Sequence, residues 1–178
     1  MRAFVAVPTP EALRARLSAL QSELRPRLAG VRFIRPESIH LTLRFLGETK
    51  ADQARDLGAR LRDAAAACPR ASAPLSALGL FPARGAPRVL WLGVSLSEPA
   101  LMLQRACEAA AVAVGFPPEE RPFRPHLTLG RWKDRAPRPE LPAFDLDPLP
   151  VAEIVLYESD LGPAGAVHTP LARFPLGE

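Results

Sequence analysis

The chain is poor in the residues from which metal centres are usually built. It has three histidines and two isolated cysteines, Cys68 and Cys107, with no CxxC and no HExxH. Zinc ligands of the usual type and spacing are therefore missing. There is no GxxxxGK[ST] to cradle the phosphates of ATP and no GxGxxG for a dinucleotide, so nothing points to an ATP-driven ligase or a dinucleotide cofactor. Two thiols far apart make no disulfide framework. They read as buried packing residues in a reduced, cytoplasmic setting. No window approaches the ~20 apolar residues of a membrane span, and Met1–Val7 is too short for a signal-peptide core before Pro8. Lysine is almost absent too: every basic residue but Lys50 and Lys133 is arginine. Arginine grips phosphate with paired hydrogen bonds, and the net charge of +4 favours an anionic partner without requiring one. A bias towards Ala, Arg and Pro codons accounts for the same composition.

Against these absences stands a repetition. Ile39-His40-Leu41-Thr42-Leu43 returns as Pro125-His126-Leu127-Thr128-Leu129, about half a chain later. Each copy alternates, so as a strand it puts an imidazole and a hydroxyl on one face and leucines on the other. Two of the three histidines occupy these matching slots. The surroundings repeat as well. Arg2–Val7 reads as a strand, followed by a helix with Thr9 at its N-cap, Pro10 at its first turn and Leu13, Leu17, Leu20 and Leu24 as its apolar stripe. Arg88–Val94 reads as the equivalent strand, and Ser97-Glu98-Pro99 opens the equivalent helix, to about Val114. In both halves a proline-rich turn then leads into the His-x-Thr strand. A second helix is expected over 51–68 and a strand over 71–81.

The 178 residues suit one domain, with apolar residues at 48%, enough for a core. The fold class expected is α+β, bilobal and duplicated about a pseudo-twofold axis. Antiparallel pairing is expected, and a twofold relation would bring the two motif strands together along one cleft. The whole chain, 1–178, is taken as one domain whose lobes meet near 82–88, in the loop Pro82–Pro87. Beyond Arg131 the copies diverge: Lys133–Pro142 reads as a surface loop, Phe144–Leu146 and Val151–Tyr157 as strands, 162–165 as a turn and Leu171–Leu176 as a final short strand.

Two imidazoles near neutral pKa divide acid–base labour well, one taking a proton from a nucleophile and the other giving one to a leaving group. The threonines are weak acids without an orienting carboxylate beside them, so they suit hydrogen-bond donation better than nucleophilic attack. A phosphate between the histidines uses both features: its non-bridging oxygens need donors, and its axial oxygens need a base and an acid. Arg44, two residues past Thr42, shares that face if the strand stays regular. Phe45 is expected in the core. Threonine and histidine merely filling strand positions is the bland alternative.

These two motifs, at this spacing, resemble those of the 2H phosphoesterase superfamily, and most closely its RNA 2',3'-cyclic phosphodiesterase (2'-5' RNA ligase) family. The likeness covers nearly the whole chain. It runs through Arg2–Val7, Arg35–Gly47, Gly79–Pro82, Arg88–Trp91, Arg121–Arg131 and Phe174–Leu176. It implies metal-independent hydrolysis of a 2',3'-cyclic phosphate at an RNA end, or on a nucleotide, to a 2'-phosphate, and reversible 2'-5' joining. It implies a bilobal α+β fold with two antiparallel sheets lining a central cleft and helices outside, and neither metal nor nucleotide cofactor. A monomer without a membrane partner is expected. His126 would be the base that activates water, His40 the acid that protonates the leaving oxygen, and Thr42, Thr128 and Arg131 the phosphate's partners. One departure is Val167-His168-Thr169-Pro170, where that family often carries Tyr; His168 is expected at the surface. A non-catalytic RNA-binding cleft, and a 2H enzyme with another nucleotide substrate, stay open as alternatives.

Overall fold

The structure, a computed structural model, describes residues 1–163 and 165–178. The apolar run Arg2–Pro8 forms β1, and Pro8 ends it. Helix α1, Glu11–Leu24, buries Leu13, Leu17, Leu20 and Leu24 as their spacing predicts. Its start differs from expectation. Pro10 takes the N-cap position without a side-chain bond, and the Thr9 hydroxyl instead donates to Ile39 O at 2.8 Å. That bond ties the end of β1 to the entrance of the first motif strand. After β2 (Val31–Phe33) and a single 3-10 turn (Pro36–Ser38), the first motif forms β3, His40–Glu48. Then come α2 (Ala51–Ala66), β4 (Ala71–Ala73), β5 (Leu75–Phe81), β6 (Val89–Val94) and α3 (Glu98–Ala113). The second motif forms β7, His126–Trp132, and β8 (Leu149–Val151), β9 (Glu153–Gly162) and β10 (Gly165–Pro175) complete the chain.

The fold is α+β and its ladders are antiparallel. Strands run in the order β10-β9-β1-β3-β7-β6-β5, with β2 also paired to β7. Between β3 and β7 there is one residue pair, Leu41 with Leu127. The two expected sheets are thus two four-stranded halves touching at one point, while β4 and β8 make a separate small ribbon. The halves do not follow the chain's midpoint: β9 and β10 return to flank β1, and β2 crosses to β7. The loop at 82–88 closes the β5–β6 hairpin inside the second half.

Leu41, Leu43, Leu127 and Leu129 share one core with the helix leucines and with Leu90, Leu92 and Ile154. Alternation therefore turns His40, Thr42, His126 and Thr128 to the face away from the helices. Cys68 and Cys107 are free, buried thiols in that core.

Both motif strands break their alternation at the same place. Ala6 pairs with Thr42 but Val5 with Arg44, and Trp91 pairs with Thr128 but Leu90 with Gly130. One extra residue, Leu43 or Leu129, bulges from each strand just after its threonine. A bulged carbonyl loses its place in the ladder and needs another donor. Gln104 of α3 donates to Leu43 O at 3.3 Å, while Leu129 O accepts from Ile34 N–H at 2.9 Å and from Gln21 of α1 at 3.2 Å. Each helix thereby supports the motif strand of the other half. Gln21 is buried and also donates to Ile34 O at 2.7 Å. Replacing it by Leu leaves Leu129 O its Ile34 donor but takes the donor from Ile34 O, so a loss of about 0.5–1.5 kcal/mol is expected, read from urea unfolding midpoints. After the second bulge Gly130 is required, because a Cβ there would stand 2.8 Å from Val31 Cγ2 and 3.2 Å from Arg32 O of β2.

Two expectations for the C-terminal third change. Phe144–Leu146 is not a strand; Asp145, Asp147 and the flanking prolines at 142 and 148 oppose ladder formation. The final strand is longer than predicted, because β9 pairs with β10 from Gly165 to Pro175. Of the turn expected at 162–165, Ala164 lies outside the described residues.

Candidate active site

The single pair Leu41–Leu127 decides the geometry. In an antiparallel ladder, stepping one residue either way sets His40 across from Thr128 and Thr42 across from His126. The two histidines then become diagonal neighbours, which in a regular ladder lie roughly 7–8 Å apart. Beyond that pair the strands part, leaving a furrow with an imidazole and a hydroxyl on each bank.

His126 Nδ1 lies 2.6 Å from Arg124 O. A carbonyl only accepts, so Nδ1 carries the hydrogen and Nε2 of the neutral ring is left free to take a proton. Aromatic rings seat each imidazole. His126 stands edge-on to Phe81 at 5.4 Å and to Trp91 at 6.4 Å. Trp91 reaches that position by lying across Gly79, where any Cβ would clash with the indole. His40 stacks on Phe4 at 4.7 Å, with Tyr157 at 5.9 Å.

The third histidine is not a remote surface residue, as expected, but stands against the first. His168 lies edge-on to His40 at 5.1 Å and to Phe4 at 4.9 Å. Burial, and then the nearness of His168, pull His40 down from the ordinary histidine value to about 3. His168 is itself lowered, by burial and then by Arg35. Burial raises the Tyr157 hydroxyl. Among the described residues no group of three His, Cys, Asp or Glu side chains is placed to hold a metal ion.

A folded-state pKa below the unfolded one means that the unfolded chain binds protons first. Stability is then full above about pH 6.5, the unfolded histidine value, and falls as pH drops towards about 3, the His40 value. Urea titrations across that window are expected to show the decline, and His40→Asn to flatten it.

The bulges sort the remaining candidates. By simple alternation Arg44 joins the His40 face; in the structure it is turned to the buried side. Its Nε lies 2.6 Å from Glu108 Oε2 and its Nη1 3.9 Å from Glu119, while Nη2 donates to Pro117 O. Phe45 takes the place expected of Arg44: it is 63% exposed and 6.2 Å from the Phe4 ring. The same shift keeps Arg131 exposed between buried Gly130 and Trp132, so it regains the His126 face that alternation alone would deny it. Phe4, Trp91, Tyr157 and His168 carried no motif of their own, and only pairing brings them to the histidines.

The model of the LigT-like phosphoesterase family matches this chain twice, over residues 7–91 and 94–168. An RNA 2',3'-cyclic phosphodiesterase of Methanothermobacter thermautotrophicus is 35% identical, with 99% of each chain covered. One of Thermus thermophilus is 38% identical over 99% of this chain and 90% of its own. A crystal structure of a Thermus thermophilus protein superposes with a TM-score of 0.88 at 37% identity, covering all of both chains. With the repeat, the paired His-x-Thr strands and these likenesses in agreement, the chain belongs to the LigT-like phosphoesterase family and is an enzyme of the 2H superfamily.

Proposed function

We propose that the protein hydrolyses 2',3'-cyclic phosphates at RNA ends, or on nucleotides, to 2'-phosphates, with His40 and His126 as its acid–base pair. The observation that supports this reading is the Leu41–Leu127 pair, where the two motif strands meet. The names borne by the relatives support the substrate class. The entire chain, 1–178, acts as one unit of two lobes.

In the reaction, water attacks phosphorus as the free Nε2 of His126 takes its proton. The P–O3' bond breaks, and His40 gives a proton to the departing 3' oxygen. The hydroxyls of Thr42 and Thr128 donate to the non-bridging oxygens, and Arg131 balances their charge. His40 is uncharged in the free protein, since burial holds it far below the neutral range. It therefore loads its proton only when an anionic phosphate lies beside it. With a 5'-hydroxyl RNA end in place of water, the same steps open the cyclic phosphate into a 2'-5' bond and free the 3' hydroxyl; run backwards, they release the two ends. Exposed Phe45, beside Phe4, offers a flat surface for a base.

The test is incubation with a 2',3'-cyclic nucleotide in EDTA, with the products separated. Formation of the 2'-phosphate is the expected result. No turnover, with salt-sensitive RNA binding that survives both His→Ala changes, would replace this reading with a binding module.

A further inference from the structure

We propose that His168 is a positioning residue for this reaction: its ring, standing edge-on against both His40 and Phe4, clamps the His40 imidazole and couples that ring's proton to the arrival of the phosphate. The inference rests on the function proposed above. It starts from an arrangement that the acid–base scheme does not use.

Phe4, His40 and Tyr157 lie nearly parallel, with interplanar angles of 19° to 26°. His168 is turned across them, at 82° to Phe4 and 83° to His40. Three rings from three other strands thus hem in one imidazole. The contact is set by sheet register, since β10 pairs His168 with Ser159 of β9, and β10 also packs against the turn Pro36–Ser38 that leads into His40. Nδ1 of His168 is buried and has no hydrogen-bond partner among the described residues. A proton there would be left without an acceptor, so the favoured neutral form carries its hydrogen on Nε2.

Two touching imidazoles resist being charged together. The other titratable groups facing the pair are Arg35, from the segment before the 3-10 turn, and Tyr157 of β9. Tyr157 is faced in turn by Arg173, Glu153 and Arg14. Among the described residues, no carboxylate acts directly on either histidine to favour its charged form. That charge must come from the ligand, and a phosphate between the motif strands supplies it.

The chain's three histidines make the test direct. Imidazole NMR signals of the whole protein, assigned from single-histidine variants, are followed through pH with and without inorganic phosphate. In wild type His40 is expected to stay neutral without phosphate and to charge at higher pH once phosphate is bound. In H168A and in H168F, which keeps a ring in place but cannot be charged, the His40 midpoint of the free protein should move up. It should stay below the ordinary histidine range, because burial remains. With 2',3'-cyclic CMP, kcat of H168F is expected to fall several-fold, short of the ~10²-fold loss of an acid–base group, with KM little changed. An unmoved His40 midpoint in H168F, whether or not H168A folds, overturns the inference and leaves the proposed function intact. Absence of turnover in wild type overturns the function, while the titration still judges the coupling of the two rings.

Discussion

Replacing His126 by alanine is expected to lower turnover of a 2',3'-cyclic nucleotide by at least ~10²-fold, the contribution of a positioned acid–base group, with wild-type turnover retained in EDTA. His126 lies half-buried on the furrow face, and its packing against Phe81 and Trp91 is edge-on, so the fold should tolerate the loss. His40 needs a gentler change because it stacks on Phe4. His40→Asn keeps a polar side-chain N–H and removes the ring. A loss of at least ~10²-fold is expected there too, with the double variant little worse than either single one, because residues acting as a unit are not additive. Rates equal to wild type in either single variant would sink the paired-histidine mechanism. Circular dichroism of each variant guards against mistaking unfolding for lost chemistry.

The second large effect is structural. Arg44→Ala removes the partner of Glu108 and the donor to Pro117 O. A carboxylate stranded in a buried pair costs about 3–5 kcal/mol. The Glu108 side chain keeps 24% of its surface exposed, so about 2–3 kcal/mol is expected here, measured as a shift of the urea midpoint at constant slope. Arg44→Met with Glu108→Gln should recover much of the loss, since no charge is then left unpaired. The consequence reaches the site. The Glu119 carboxylate forms a looser ion pair with Arg44, 3.9 Å away, and its own N–H donates to Glu108 at 2.8 Å. The segment so held runs on to Arg124, whose carbonyl fixes the His126 ring. Arg44→Ala should therefore lower kcat as well as stability. An unchanged midpoint would show that the network does not anchor this segment.

Much of this was legible in the residues. Leucine spacing marked α1, and proline and glycine marked the ends of the helices. The repeated His-x-Thr strands named four of the furrow's side chains, because a period of two is robust over a short strand. The failures share a cause. Alternation placed Arg44 on the furrow and Phe45 in the core, and a one-residue bulge reversed both. Nothing local in Leu43 or Leu129 signals a bulge, because it depends on the pairing of neighbouring strands and on distant donors, Gln104 for Leu43 O and Ile34 N–H with Gln21 for Leu129 O. His168 was misread for a similar reason. Its neighbours in sequence are exposed, and its neighbours in space, His40 and Phe4, come from the other end of the chain.

By itself the sequence determined the duplicated plan, the α+β class and the four residues of the paired motifs, since each follows from short-range periodicity and from repetition of one order of elements. Tertiary structure alone decided which arginine is buried, which aromatic rings seat the imidazoles, and that a third histidine stands against the first. Those outcomes depend on strand order, register and bulges, and they are fixed by pairing between residues that are far apart along the chain.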